Sequence, residues 1–429
     1  MRRRPRISCS CPPEAATSVS GPIVNPPPTS SRPLHLRLSP AGESAVRRGH
    51  PWVYESSVRD QSGPGSAGDL AVVYDRQNRF LALGLWDPDS PLRLRVLHVG
   101  KPVRCDVDWW RGRLRLALDR RRPWFDASTT GFRWIHGESD GWPGLVLDRY
   151  GATLVLKIYS PVWLPRVPDL VGWIRDELGP DRIVLRLSRN SQSAAAASGY
   201  RDGENLHGQD GSERVTFLES GLWFESEVVK GQKTGFFLDQ RENRRRVETL
   251  AAGQEVLNVF SFSGGFSLYA ARGGAARVVD VDISAHALAQ ARRNFALNAE
   301  DASVKRAIHE QVQADAFDWL AARPSRRFGL VILDPPSLAK SEAERAGAIE
   351  AYRRLVRSGL DWVKPGGVLL AASCSAHVST DEFLGAVREV LHGAGRRAEE
   401  FLTEGHAQDH AATFREAEYL KAIYWRLPG

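Results

Sequence analysis

The chain has 429 residues, 42% of them hydrophobic, and a formal net charge of +7, which predicts two or three domains and favours a polyanionic partner. No stretch approaches the roughly eighteen consecutive apolar residues of a membrane span, and the arginine-rich start lacks the apolar region of a secretory signal, so we expect a cytoplasmic protein. The cysteines, Cys9, Cys11, Cys105 and Cys374, are too scattered for a disulfide framework, and beyond the Cys9/Cys11 pair no spacing indicates zinc, so we expect no metal.

The N-terminal part of the chain changes character near residue 35. Residues 1–34 are rich in proline, serine and threonine and poor in large apolar side chains, which predicts a disordered tail. The runs Leu70–Tyr74, Phe80–Leu85 and Leu92–Leu97 are apolar or alternating and are separated by turn residues, as is typical of strands. We therefore predict a small β-rich domain over residues 35–105.

A basic segment follows, with ten Arg or Lys residues and three aspartates between Arg93 and Trp124. Trp109, Trp110 and Trp124 interleave with the basic residues. Guanidinium groups neutralise phosphates and indoles stack on unpaired bases, so the segment suits single-stranded RNA, with Arg93 and Arg95 as candidate contacts. The alternative is an amphipathic helix with a solvated basic face and its tryptophans in the core, since nothing in the sequence fixes the direction of the tryptophans.

Residues 106–225 combine strand and helix patterns. The strand candidates are Leu145–Leu147, Thr153–Ile158 and Arg182–Leu187, and the helix candidate is Val167–Leu178. Ser188–Ser212 is rich in Ser, Ala and Gly and is predicted to be a flexible loop. We expect an intervening α/β domain.

From about Phe236 strands and helices alternate, which predicts a doubly wound, mostly parallel sheet over residues 226–429. The strand candidates are Val256–Phe260, Arg277–Val281, Leu330–Leu333 and Val368–Ala372, and the helix candidates are Gly265–Arg272, Ala285–Asn298, Glu344–Val363 and Asp381–His392.

The first strand of this sheet leads into a glycine turn that opens a helix. Gly264 and Gly265 let the backbone approach a ligand where a side chain would collide. About twenty residues later the second strand ends in Asp282, an acid that accepts ribose hydroxyls in Rossmann-type sites. Phe260, Ser261 and Ile283 flank these positions and join the candidate cofactor site. The sequence has no G-x-G-x-x-G here and no P-loop, which counts against NAD and ATP.

A third strand end offers Asp315, which either accepts an adenine amino group or caps a helix. Because the carboxyl ends of parallel strands meet at one edge, the series Gly264, Asp282 and Asp315 favours a cofactor site.

Two further strand ends carry residues suited to catalysis. Asp334 precedes Pro335 and Pro336, which stop the strand and hold the chain extended, so its carboxyl can face a base beside the donor. The alternative role for Asp334 is a turn cap. Cys374 follows the next strand and can add to carbon 6 of a pyrimidine, which activates carbon 5 towards a methyl donor. A small buried residue is the alternative for Cys374.

At this point the sequence resembles the PUA-domain-containing large-subunit ribosomal RNA cytosine-carbon-5 methyltransferases. The resemblance covers residues 35–429 and rests on His50-Pro-Trp-Val53, Gly137-Glu-Ser-Asp-Gly-Trp-Pro-Gly144, Lys233-Thr-Gly-Phe-Phe-Leu-Asp-Gln-Arg241, Phe260-Ser-Phe-Ser-Gly-Gly-Phe266, Asp334-Pro-Pro336 and Ser373-Cys-Ser375. It implies a PUA fold, an intervening α/β domain and a Rossmann-like methyltransferase domain.

The same resemblance implies the ligands and several residue roles. The donor would be S-adenosyl-L-methionine and the substrate large-subunit rRNA, with a homodimer possible. Cys374 would be the nucleophile, Gln240 would lie near the cofactor, and Arg241, Pro335 and Pro336 beside the target RNA. Glu416 is the candidate base for the carbon-5 proton, by analogy with related pyrimidine methyltransferases.

Three other functions stay open. A guanine-N7 methyltransferase of the same fold would need no thiolate, a non-catalytic RNA-binding or assembly protein could keep the fold, and a small-molecule methyltransferase could share the donor site.

Overall fold

The computed structural model describes residues 33–322, 324–393 and 398–429. The predicted disordered tail lies outside these residues except for its last two positions, and so do Cys9 and Cys11. Across the described ranges, no helix combines the length and the apolar character needed to cross a membrane.

The N-terminal part is a six-stranded sheet with the order β2-β6-β5-β4-β1-β3. Its elements are β1 (Leu34–Leu38), α1 (Pro40–Arg47), β2 (Trp52–Tyr54), β3 (Val58–Gln61), β4 (Leu70–Tyr74), β5 (Phe80–Trp86) and β6 (Leu92–Val99). The three strands predicted here are confirmed, and β5 and β6 extend slightly further. Leu36, Val73 and Leu94 are fully buried between this sheet and α1 and form its core.

The middle part is a five-stranded sheet with the order β11-β10-β9-β8-β7. Its elements are α2 (Val107–Arg121), β7 (Gly131–His136), β8 (Leu145–Tyr150), β9 (Thr153–Ile158), α3 (Val167–Leu178), β10 (Arg182–Leu187), α4 (Arg189–Ala197) and β11 (Asn205–His207). The predicted helix at α3 is confirmed. The predicted flexible loop at Ser188–Ser212 is wrong, because it contains α4 and β11.

The helix α4 forms because local propensity and burial agree. Its second half is a run of four alanines, the best helix formers, ending before Gly199 at φ +85°. Ala195 is fully buried against the middle core, which adds a tertiary reason for the helix. Composition alone predicts a flexible loop here, because Ser, Ala and Gly also dominate flexible segments.

Within the basic segment, α2 is a helix that buries one face, as the alternative predicts, but Trp124 lies after this helix and is 41% exposed. Trp110 in α2 is 4% exposed, and its ring centroid lies 5.6, 5.8 and 6.0 Å from those of Trp142, Trp163 and Trp173. Stacking of Trp110 on an RNA base is therefore wrong, because its ring is inside the core. Trp109 is half-buried, with the Arg113 guanidinium 4.6 Å from its centroid, so it too belongs to the protein's own packing.

A hairpin, β12 (Arg214–Glu219) and β13 (Leu222–Glu227), leads into the C-terminal part. The elements of the C-terminal part are α5 (Arg241–Leu250), β14 (Glu255–Val259), α6 (Gly265–Arg272), β15 (Arg277–Asp282), α7 (Ala285–Leu297), α8 (Ala302–Arg306), β16 (Ile308–Gln313), α9 (Ala316–Ala321), β17 (Phe328–Leu333), α10 (Arg345–Leu360), β18 (Val363–Ser373), α11 (Thr380–Gly393), β19 (Glu399–Glu404) and β20 (Lys421–Arg426). The predicted boundary between residues 225 and 226 falls inside β13.

The C-terminal sheet has seven strands in the order β16-β15-β14-β17-β18-β20-β19. All neighbours from β16 to β18 are parallel, and β20 is antiparallel to both β18 and β19. The predicted doubly wound α/β sheet is therefore confirmed. Every residue of β17 is buried, as expected for a central parallel strand covered by helices on both faces. The carboxyl ends of β14, β15, β17 and β18 meet at one edge.

A buried aspartate joins the middle and C-terminal parts. Asp409, between β19 and β20, is fully buried, and its Oδ1 lies 2.5 Å from Nη2 of Arg241. The Arg133 amide donates to Asp409 Oδ2 over 2.8 Å, and Nη2 of Arg121 donates to its carbonyl over 2.8 Å. Burial alone would raise the pKa of the Asp409 carboxyl, but His410 and Arg241 hold it well below its usual range through their charge and their hydrogen bonds.

Replacement of Asp409 should test this junction. Asp409→Ala leaves the fully buried Arg241 charge without its carboxylate, so we expect a loss of about 3–5 kcal/mol in the free energy of unfolding. Glu342→Ala breaks an exposed pair with Arg345 and should cost about 1 kcal/mol or less. Urea unfolding measures both, and similar losses would contradict the role given to Asp409.

Candidate functional site

The loop after β14 has an unusual backbone. Phe260, Phe262 and Gly264 have φ of +62°, +47° and +73°, a region that side chains rarely adopt. A Cβ on Gly264 would lie 2.8 Å from that of Ala291, so only glycine fits this close approach. Positive φ at two phenylalanines costs energy and is typical of ligand sites.

Asp282 holds this loop in place at the end of β15. Its Oδ2 accepts the Phe262 amide and its Oδ1 accepts the Ser284 amide, each over 2.8 Å. The carboxylate is thereby oriented by two backbone donors beside Ile283, which is 68% exposed. Each oxygen keeps a lone pair that can accept a ligand hydroxyl.

A cavity of about 510 Å³ opens at this edge of the sheet. Its walls include the predicted residues Gln240, Phe260, Ser261, Gly265, Asp282, Ile283, Asp315, Asp334, Pro335, Pro336 and Cys374. Gly264 lies between two of its wall residues, Ser263 and Gly265. The structure therefore brings the predicted cofactor positions and two of the three predicted catalytic positions, Asp334 and Cys374, into one cavity.

The cavity walls carry unused hydrogen-bonding groups. The hydroxyls of Ser261 and Ser263 are buried, and neither has a partner among the described residues. Asp315 caps α9, where Oδ1 accepts the amides of Phe317 and Asp318 over 2.9 and 3.1 Å, and it also lines the cavity. Both interpretations of Asp315 are thus compatible. The unpartnered hydroxyls, the glycine loop and the acids fit a polar nucleoside ligand.

Asp334 lies at the end of β17 in a buried hydrogen-bond chain. Nε2 of Gln240 donates to Asp334 Oδ1 over 2.9 Å, and Nδ2 of Asn243 donates to Gln240 Oε1 over 2.7 Å. Burial, together with the nearby negative charge of Asp239, raises the pKa of Asp334 to about 7. A substantial fraction of the Asp334 carboxyl is therefore neutral near neutral pH and can donate a hydrogen bond.

Cys374 follows β18, the strand next to β17. Its Sγ lies 3.9 Å from the carbonyl oxygen of Pro335, which places the thiol beside the Asp334-Pro-Pro336 turn. Burial raises the pKa of the Cys374 thiol to about 11, and the positive charge of Lys233 opposes that rise.

Lys233, Asp239 and Tyr419 form a charged group beside the thiol that the sequence analysis did not assign. Lys233 Nζ lies 2.8 Å from Asp239 Oδ2, and the Tyr419 hydroxyl donates to the same oxygen over 2.7 Å. Lys233 and Asp239 both line the cavity. The signal was present, because both residues belong to the quoted Lys233–Arg241 motif, but the motif does not show which of its members face a ligand.

Two predicted site residues lie away from the cavity. Arg241 is fully buried in its pair with Asp409, so it offers RNA no accessible surface, and direct RNA contact is wrong for this residue. Glu416 lies 3.7 Å from His50 of the N-terminal part, and its side chain is 45% exposed. It is absent from the described cavity wall, so the proton-removing role predicted for Glu416 has no geometric support.

The two predicted RNA contacts on β6 already have partners. Arg93 pairs with Glu55 over 2.5 Å and remains partly exposed. Arg95 is 11% exposed, lies 3.5 Å from Glu138 of the middle part, and therefore serves the junction between the first two sheets.

Comparison with known proteins agrees with this geometry. Residues 185–399 match the family described as S-adenosylmethionine-dependent methyltransferase, and residues 36–98 match a PUA-like domain. The chain is 55% identical to a "Ribosomal RNA large subunit methyltransferase" of Deinococcus radiodurans, over 93% of this chain and 99% of the relative. It is 33% identical to "Ribosomal RNA large subunit methyltransferase I" of Shewanella denitrificans, over 92% and 99% of the two chains.

Solved structures share the fold. A protein of Streptococcus mutans, described as a candidate SAM-dependent methyltransferase, superposes with a TM-score of 0.77 at 22% identity, over 91% of this chain and 99% of that one. A methyltransferase structure in complex with SAH superposes with a TM-score of 0.78 at 22% identity, over the same shares.

Loss of the Asp282 carboxylate should weaken binding of S-adenosylmethionine. Asp282→Ala removes a charged acceptor, worth about 1.5–3 kcal/mol, so we expect the dissociation constant to rise at least about tenfold. Asp318→Ala, on α9 outside the described cavity wall, is the matched control and should leave it unchanged. Calorimetry measures donor binding and filter binding measures RNA. Equal losses of donor and RNA affinity in Asp282→Ala would contradict the assignment.

Proposed function

This chain belongs to the S-adenosylmethionine-dependent methyltransferases that carry a PUA-like domain, and we propose that it methylates carbon 5 of a cytosine in large-subunit ribosomal RNA. S-adenosylmethionine is its methyl donor. The rRNA substrate is supported by the names of the relatives and by the PUA-like domain. Such a substrate also favours the cytoplasm, and the homodimer stays a prediction.

The position of Cys374 is the observation that favours carbon 5 of cytosine as the methylated atom. Cys374 and Asp334 follow neighbouring parallel strands and line the same cavity as the glycine loop and Asp282. Carbon 5 of cytosine is too weak a nucleophile to take a methyl group unaided, so this reaction requires a nucleophile at carbon 6. Methylation at guanine N7 requires no thiol, so it would leave the position of Cys374 unexplained.

The residues allow a balanced sequence of steps. Addition of the Cys374 thiolate to carbon 6 forms a C–S bond and moves electrons towards N3, where the neutral Asp334 carboxyl supplies a proton. When bound, S-adenosylmethionine would supply an electrophilic methyl group, and the glycine loop and Asp282 would hold the donor. Carbon 5 would then bond to the methyl group as the sulfur–methyl bond of the donor breaks and the donor leaves as a thioether. Passage of the carbon-5 proton to water, cleavage of the C–S bond to Cys374 and return of the N3 proton to Asp334 would restore the aromatic ring and the thiolate.

Lys233 favours the thiolate form of Cys374. Burial disfavours the charged form of Cys374, and the ammonium of Lys233 is the largest opposing influence on its pKa. Asp239 holds Lys233 protonated, because it raises the pKa of the ammonium against the effect of burial. The Lys233–Asp239 pair therefore orients a cation towards the nucleophile.

Replacement of Cys374 tests the covalent reaction. We expect Cys374→Ala to abolish methyl transfer while leaving S-adenosylmethionine binding intact, because the thiol belongs to the target side of the cavity. Cys105→Ala, in the middle part, is the control and should retain activity. Mass spectrometry of digested rRNA from cells with each variant measures 5-methylcytidine. Retained turnover in Cys374→Ala, or loss of 7-methylguanosine on deletion of the gene, would contradict the proposal.

The pH dependence tests the two ionisations together. The reacting form needs a neutral Asp334, with a pKa of about 7, and a Cys374 thiolate, with a pKa of about 11. Between these values the decline of neutral Asp334 cancels the gain in thiolate, so kcat/KM should rise to about pH 7 and then stay level.

In Asp334→Asn the side chain cannot ionise, so no loss of the neutral form offsets the gain in Cys374 thiolate as the pH rises. We expect log kcat/KM of this variant to keep rising above about pH 7 with a slope of about one. Single-turnover methylation measured from about pH 6 to 9 gives the profiles. Asp318→Asn should follow the wild type, and identical profiles for the wild type and Asp334→Asn would remove the role of Asp334 as proton donor.

A further inference from the structure

A second cavity of about 370 Å³ lies in the middle part, between the end of α2 and β7. It shares no described wall residue with the catalytic cavity. The groups that matter here are contributed by Arg121, Arg122, Thr129, Thr130, Trp134 and Arg149. All six can donate hydrogen bonds.

Two of these donors are buried without an acceptor. Trp134 is 5% exposed and Arg121 is 1% exposed. Trp134 Nε1 and Arg121 Nε have no partner among the described residues. A buried donor without an acceptor costs about 1–3 kcal/mol, so the two N–H groups indicate that an acceptor binds here.

The threonines add two more donors. Thr129 Oγ1 accepts the Ser220 amide over 3.0 Å, and Thr130 Oγ1 accepts the Leu218 amide over 2.9 Å. Because each hydroxyl oxygen is used as an acceptor, its own proton remains available for donation.

The basic side chains of the cavity also favour an anionic ligand. Arg149 uses Nε to donate to the Gly151 carbonyl over 2.8 Å, its guanidinium carbon lies 5.7 Å from the Phe132 centroid, and no ion pair with a carboxylate of the described residues is formed. Arg122 is 49% exposed and pairs with Asp119 over 2.6 Å. Asp126 is the acid among the described wall residues, and its Oδ1 already accepts the amide and the hydroxyl of Ser128.

The aromatic residues of the wall do not favour a stacked base. Phe125 stacks on Phe132 with centroids 4.2 Å apart, and the guanidinium carbon of Arg241 lies 4.7 Å from the Phe125 centroid. Its ring is therefore already in contact with other groups. The groups of the cavity that are available to a ligand are N–H and O–H donors and a charged guanidinium. These groups match an oxyanion rather than a base.

We propose that this cavity binds a phosphate group of the RNA backbone, at a site separate from the catalytic cavity. A phosphate offers several acceptor oxygens and a negative charge, which satisfies the indole N–H, the Arg121 Nε–H and the Arg149 charge together. The RNA source of the phosphate rests on the proposed function, whereas the anion site itself does not. Bound there, a strand is anchored to the domain that precedes the methyltransferase sheet.

The first test uses inorganic phosphate and no RNA. At constant ionic strength, saturating phosphate should raise the Tm of the wild type by about 2–4 °C and leave that of Arg149→Gln unchanged, because only the wild type binds it. Arg115→Gln, on α2 and paired with Glu177 rather than facing the cavity, should respond as the wild type does. An equal rise in the wild type and in Arg149→Gln would overturn the anion site, whatever reaction the enzyme performs.

The second test uses protein-free large-subunit rRNA without methyl donor. Arg149→Gln should bind it several-fold more weakly, and the slope of log affinity against log salt should fall by about 0.7–0.9, the value of one phosphate contact. Arg115→Gln should keep the wild-type slope. If phosphate protects only the wild type while rRNA affinity is the same in Arg149→Gln, the site binds free phosphate and the RNA assignment is wrong.

Discussion

The structure depends on the burial of one carboxylate, that of Asp409. Its fully buried pair with Arg241 would be costly without further donors, and the Arg133 amide supplies one to the carboxylate. Arg121 binds the carbonyl of the same residue. Two of these partners belong to the middle part and one belongs to α5. The buried polar groups of Asp409 therefore find all their partners only when the middle and C-terminal parts are packed together.

Hydrogen bonds link this contact between the two parts to the cavity at the edge of the C-terminal sheet. Arg241 is adjacent in sequence to Gln240, whose amide donates to Asp334. The same connection carries Ala407, whose amide donates to the carbonyl of Asp239 over 3.0 Å, and Tyr419, which binds the Asp239 carboxylate. Its Phe414 ring lies 5.2 Å from that of Trp52 in the PUA-like domain. The β19–β20 connection thus contacts all three parts of the chain. It also binds both the carbonyl and the carboxylate of Asp239, which lines the cavity.

The cavity couples two opposed ionisations. Burial raises the pKa of both Asp334 and Cys374, which favours a neutral carboxyl and opposes the thiolate. The Lys233–Asp239 pair partly offsets the second effect, because Lys233 places a protonated amine beside the thiol while the Asp239 carboxylate helps to raise the pKa of Asp334. The same buried cavity thus holds a carboxyl with a raised pKa and a thiol near a cation.

The residues that gather at the sheet edge can be read from the amino-acid sequence. Gly264, Asp282, Asp334 and Cys374 each follow a recognisable apolar strand, and parallel strands bring their carboxyl ends to one side whatever the details of packing. Tertiary structure alone decided the rest, because the relevant partners are distant in sequence. Arg241 and Asp409 are 168 residues apart, so nothing local showed that Arg241 is a buried ion-pair partner instead of an RNA contact. The direction of Trp110, the exclusion of Glu416 from the cavity wall and the placement of the Lys233–Asp239 pair in the same cavity as Cys374 likewise depend on contacts between elements, which periodicity and motif spacing do not encode.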